Sequence, residues 1–139
     1  MKPATASPRI GRRRAVVIAA ALVAVAPAAS RACGACVEDK IAATYDHGVV
    51  ARAAARGDIM VFCEVTGSLD AQRLKRAVER VHGVKPQSVR VSAQPAALSF
   101  SIDPTARSPQ AAVEAAQRSL APGIRLTIVR LRPPVAPSP

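Results

Sequence analysis

The seven residues Ile59-Met60-Val61-Phe62-Cys63-Glu64-Val65 constrain this chain more than any other stretch. They are rich in β formers, and in an extended backbone their apolar side chains fall on both sides. Ile59, Val61 and Cys63 lie on one side, Met60 and Phe62 on the other. A strand with two dry faces requires a covering on each. The chain therefore has to set this strand inside a sheet, with material packed above and below it.

Downstream residues supply one covering. Leu74, Ala77, Val78 and Val81 follow the i, i+3, i+4, i+7 spacing of a helix face, with Ser68 or Asp70 as its cap and Gly83 as its terminator. Val89 and Val91 then alternate with Arg90 and Ser92 in one strand, and Leu98, Phe100 and Ile102 alternate with Ser99 and Ser101 in another. The connection Ala93-Gln94-Pro95-Ala96 is too short for a parallel crossover, so these two strands form an antiparallel hairpin. Ser108-Pro109 opens a second helix that buries Ala112, Val113, Ala116 and Leu120 and stops at Pro122-Gly123. Ile124, Leu126 and Ile128 mark a final strand. The order β-α-β-β-α-β predicts an α+β fold, the ferredoxin-like βαββαβ sandwich, with both helices on one face of the sheet.

The second covering is expected from upstream. Val37, Ile41, Tyr45 and Val49 repeat every four residues, which predicts an additional N-terminal helix over residues 37–55, with a kink at Gly48 and an end at Gly57-Asp58. Docked on the open sheet face, this helix would dry the second side of the first strand. Four regions follow: residues 1–32 as an export signal peptide, 33–57 as the segment bearing Cys33-Gly34-Ala35-Cys36 and the extra helix, 58–132 as the ferredoxin-like domain, and 133–139 as a Pro-rich tail with too few hydrophobes to fold.

Over residues 59–131 the chain resembles the heavy-metal-associated domains of copper chaperones and metal-pumping ATPases. The matching residues are Leu74, Val78 and Gly83-Val84, then Val89 and Val91, then Phe100-Ser101-Ile102-Asp103-Pro104, and finally Ala112, Val113 and Ala116. The resemblance implies the fold given above and the handling of a soft metal ion. That family's metal motif, Met-x-Cys-x-x-Cys between first strand and first helix, falls here on Val65, Gly67 and Asp70. Both loop cysteines are absent, so the family's site does not carry over.

The thiols lie elsewhere. Cys33 and Cys36 sit before the extra helix, and two thiolates at this spacing can clip Cu(I) or Zn(II). The adjacent helix start favours thiolate anions, which suits metal binding, a redox dithiol and a disulfide alike. Cys63, in the first strand, is either a small buried hydrophobe or a third ligand; a helix lying across the sheet would bring Cys33 and Cys36 toward it, giving a trigonal site suited to Cu(I). His47 follows Cys36 by eleven residues, roughly 16 Å along a continuous helix, too far for a shared ion. His82 reads as a helix-end residue and Met60 as core. The metal-free alternative is a disulfide-stabilised interaction module or thiol redox protein, docking through an uncovered sheet face or the edge strand near residues 89–92.

Charge has to be located before it is interpreted. Of the 20 basic residues behind the net charge of +11, Lys2, Arg9, Arg12, Arg13, Arg14 and Arg31 precede Cys33 with no acid among them. Arg12-Arg13-Arg14 leads into twelve apolar residues, 15–26, about 18 Å as a helix against a ~30 Å hydrocarbon core. This is the layout of an export signal, with cleavage after Ala28 or Ala32, and it places the mature protein outside the cytosol, in a periplasm, without stable membrane insertion. From Cys33 onward, 14 basic residues face 9 acidic ones, a net charge of +5. Nucleic acid is not expected as a partner, because base stacking on this topology needs aromatic residues and only Tyr45, Phe62 and Phe100 exist. Arg73, Arg76 and Arg80 form a basic helix face that fits solvent or an acidic partner protein. No catalytic motif is present, so an enzyme is not expected.

Overall fold

The computed structural model describes residues 36–134, so the segment read as an export signal, together with Cys33, lies outside the described residues. The elements in chain order are α1 (Val37–Thr44), α2 (His47–Arg56), β1 (Ile59–Thr66), α3 (Ala71–Glu79), β2 (Arg90–Ala93), β3 (Ala96–Ile102), α4 (Pro109–Arg118) and β4 (Arg125–Arg132). A short 3-10 turn, Pro86–Ser88, precedes β2. The fold is α+β, built on one sheet in the order β2-β3-β1-β4 with every neighbouring pair antiparallel. β1 is an interior strand, as its two apolar faces require.

Register decides which face each β1 side chain meets. Val61 is opposite Phe100 and Cys63 opposite Leu98, while Met60 is opposite Ser101 and Phe62 opposite Ser99. The Val61/Cys63 face is covered by α3 and α4, whose Leu74, Val78, Ala112, Val113 and Ala116 join Leu98, Phe100, Ile102 and Leu126 in the larger core. Both helices start on side-chain caps. The Asp70 carboxylate accepts from the Arg73 N–H at 3.0 Å, and the Ser108 hydroxyl accepts from the Ala111 N–H at 3.2 Å ahead of Pro109. Of the two caps read for α3, Asp70 is the one used.

The Met60/Phe62 face is covered from upstream, by two helices where one was expected. The chain breaks at Tyr45 and Asp46, both extended, whereas Gly48 lies inside α2. The break has a chemical cause: the Asp46 carboxylate accepts from the Val49 N–H at 3.0 Å, satisfying one of the donors a new helix leaves open. α2 ends on Gly57 at φ +74°, a conformation that favours glycine. Between these ends it sets Val49, Val50 and Ala53 against Met60 and Phe62.

Polar ties complete this second layer. Ser99 and Ser101 are fully buried beneath it. The Ser99 hydroxyl donates to the Thr44 carbonyl at 2.9 Å, and the Ser101 hydroxyl accepts from Arg56 at 3.5 Å. Three ion pairs fasten the helices to separate strands: Glu38 to Arg130 of β4, Lys40 to Glu64 of β1, and Asp46 to Arg90 of β2. Among the described residues no helix is long and apolar enough to cross a membrane.

Candidate functional site

Cys36 stands at the N-cap of α1, exposed and with a free thiol. Asp39, three residues on, turns back over it: one carboxylate oxygen accepts from the Cys36 N–H at 3.1 Å and from the thiol at 3.2 Å. This return contact follows from helix geometry, because position N3 faces the cap. The two residues on either side of Asp39 anchor the turn. Glu38 reaches Arg130 at 2.6 Å, and Lys40 pairs with Glu64, so the first turn of α1 is tied to β4 and to β1. Cys36 is therefore presented to solvent from a turn held at two points of the sheet.

Cys63 is placed differently. It is 1% exposed, within the larger core, and burial in this apolar setting pushes its thiol up to about 12. The structure sets Cys63 apart from Cys36: Cys63 faces α3 and α4, whereas α1 lies on the other side of the sheet. The reason is the two-residue period of the strand, which sends Cys63 with Val61 and Val65 to one face and Met60, Phe62 and Glu64 to the other. Cys36 and Cys63 do not come together. Among the described residues no group of three His, Cys, Asp or Glu side chains is arranged to hold a metal ion.

The loop between β1 and α3, where the resembled family carries its thiols, is put to structural use. Gly67 has φ +101°, and a Cβ built there would collide with the Gly123 carbonyl oxygen of the turn before β4. Any side chain at this position would force the two turns apart. Asp70, the other position, is the α3 cap. The loop is thus closed to that motif sterically as well as by composition.

His47 opens α2 and is exposed, beside the Asp46 cap. The break in the helix does not deliver it to Cys36; it lines a separate cavity with Tyr45, Met60 and Arg132. Sequence spacing gave no sign of that cavity, since its walls bring residues between Tyr45 and Met60 together with Arg132, Pro133 and Pro134 from the other end of the domain. His82 is exposed in the turn after α3, and Met60 is core, as read. Arg73, Arg76 and Arg80 are exposed along α3 and line a groove with Ala77 and Ser119. None of the three takes part in an ion pair among the described residues. Of the two surfaces offered for a metal-free docking module, the second sheet face is covered by α1 and α2, whereas β2, four residues long, does lie at an edge of the sheet.

Comparison of the chain with models of known families, with curated proteins and with solved structures gave no match.

Proposed function

We propose that this chain is an exported, non-enzymatic domain of the ferredoxin-like, heavy-metal-associated kind that carries one soft metal ion, Cu(I) or Zn(II), between Cys33 and Cys36. The single observation that carries this reading is the presentation of Cys36: an accessible thiol at a helix start whose first turn is anchored to two strands. A ligand on a fixed base loses little conformational freedom on binding. The strand order β2-β3-β1-β4 supports the fold assignment, because it sets the two outer strands around an antiparallel central pair. With Cys63 in the core, the ligand set reduces to two thiolates, and the Asp39 carboxylate, 3.2 Å from the Cys36 thiol, is an oxygen donor at hand. Two sulfurs alone favour Cu(I); recruitment of the carboxylate favours Zn(II). Arg73, Arg76 and Arg80, without ion-pair partners among the described residues, offer a basic face to an acidic partner protein.

The competing reading is a metal-free interaction module with a Cys33–Cys36 disulfide. The exposure of Cys36 favours it in an oxidising compartment. One experiment separates the two: native mass spectrometry of the mature protein after mild reduction and addition of Cu(I) or Zn(II), with thiol alkylation in parallel. One equivalent of metal is expected, lost in Cys33→Ser/Cys36→Ser and retained in Cys63→Ala. Cys63 stays unalkylated until the protein is denatured, which makes it an internal reference. A persistent disulfide with no metal overturns the proposal, and metal surviving in the double serine variant shows that the ligands lie elsewhere.

A further inference from the structure

The cavity that His47 lines, about 180 Å³ in volume, lies between α2, the start of β1 and the end of β4. Its apolar lining includes Val50, Ala54, Met60 and Pro133. Its polar side chains include the Arg132 guanidinium, which only donates, and the Tyr45 hydroxyl and His47 imidazole, each able to donate one hydrogen bond. Arg132 takes part in no ion pair among the described residues. The one carboxylate in the lining, Asp58, is 3% exposed and already engaged by Arg56 at 2.7 Å. Its charge is therefore compensated by Arg56, and Arg132 is a lining cation with no ion-pair partner among the described residues.

We infer that this cavity is a binding site for a small apolar carboxylate. The carboxylate group meets the Arg132 guanidinium, whose paired donors match its two oxygens, with Tyr45 and His47 completing the donor set. The hydrocarbon end lies against Val50, Ala54 and Met60, where its removal from water drives binding. Butanoate carries both features, a carboxylate and a short hydrocarbon tail, and serves as the probe. A metal cation is disfavoured by the free guanidinium, and inorganic phosphate by the apolar wall. Neither Cys36 nor Cys63 is among its lining residues, and the inference stands or falls independently of the metal proposal.

The test is an NMR titration of the mature chain with sodium butanoate, with n-butanol, butylammonium and inorganic phosphate run in parallel. Butanoate is expected to shift the amides around Tyr45, Val50, Ala54 and Arg132 and to saturate, binding at least tenfold more tightly than the other three probes. Arg132→Gln, at an exposed position, should weaken butanoate about tenfold and leave n-butanol unchanged. Ala54→Leu fills the apolar end and should abolish butanoate binding with the charges intact; unchanged shifts elsewhere in both variants establish that they fold. Failure of butanoate to saturate, equal binding of n-butanol or butylammonium, tighter binding of phosphate, or indifference to Arg132→Gln each overturns the inference.

Discussion

Phe100 and Phe62 sit on opposite faces of the same sheet, 1% and 2% exposed, yet they belong to very different surroundings. Phe100 lies in a cluster of 15 buried residues drawn from three strands, two helices and the turns between them. Phe62 lies in a cluster of five, with only Val49, Val50, Ala53 and Met60 as buried company. What the second face lacks in apolar surface it replaces with polar ties, the buried Ser99 and Ser101 and the ion pairs of Glu38, Lys40 and Asp46. Hydrophobic burial scales with area and is indifferent to direction, whereas hydrogen bonds and ion pairs fix position while adding little net free energy. The α3/α4 face accordingly stabilises the fold, and the α1/α2 face orients the turn that bears Cys36.

The two phenylalanines can be set against each other directly. Phe100→Ala should cost about 4 kcal/mol of global stability, within the usual range for emptying a core aromatic, seen as a lower denaturant midpoint with unchanged slope. Phe62→Ala should cost somewhat less, about 3 kcal/mol, and its effect should be local first: amide hydrogen exchange in residues 37–56 accelerates before that of the sheet. Uniform acceleration across the whole domain in Phe62→Ala would mean that both faces form one cooperative unit, and the contrast would collapse.

A smaller effect probes the polar ties. Ser99→Ala removes the donor to the Thr44 carbonyl and leaves that acceptor unpaired under α1. The expected loss is about 1–3 kcal/mol, measured by urea melts, with α1 opening more readily in hydrogen exchange. Ser99→Ala in a Phe62→Ala background should cost less than in the native chain, because the helices that bury the carbonyl are already loosened. Full additivity would show that Ser99 acts independently of the second layer.

The two faces also differed in how much of them could be read in advance. The larger core was legible because its signals are local and periodic: Leu74 and Val78 on one helix, Ala112, Val113 and Ala116 on the other, Leu98, Phe100 and Ile102 along a strand. That the first strand needs a second covering was legible too, from Met60 and Phe62. The position of the break in that covering was not, because glycine attracts attention as a breaker while Asp46 acts through a capping bond to Val49 three residues on. Nor was the facing of Cys63. Alternation groups it with Val61 and Val65, but which helices that face meets depends on the pairing of Cys63 with Leu98, a long-range register that no short stretch encodes. The polar ties of the β3 serines were not legible either, since alternation with polar residues usually signals solvent, whereas both are buried under α1 and α2. The cavity at Arg132 had no sequence signal at all, because it exists only once α2, β1 and β4 meet.

The smallest expected effect concerns Asp46, where the break in the second layer is made. The Val49 N–H, chiefly, and then the Arg90 guanidinium hold its carboxyl below the usual carboxylate range. The folded protein therefore binds this proton less readily than the unfolded chain does. The resulting stabilisation is complete at neutral pH, starts to fade as pH drops toward the unfolded value of about 3.9, and is gone below the depressed folded value. Asp46→Asn keeps a competent cap but no charge, so thermal midpoints at pH 7 and pH 2.5 should lie closer together than in the native chain. Arg90→Gln removes only the lesser cause and should leave most of that difference in place. If Arg90→Gln narrowed the gap as far as Asp46→Asn, the ion pair to β2, rather than the capping bond, would be what sets the titration of Asp46 and locks the second layer in its broken form.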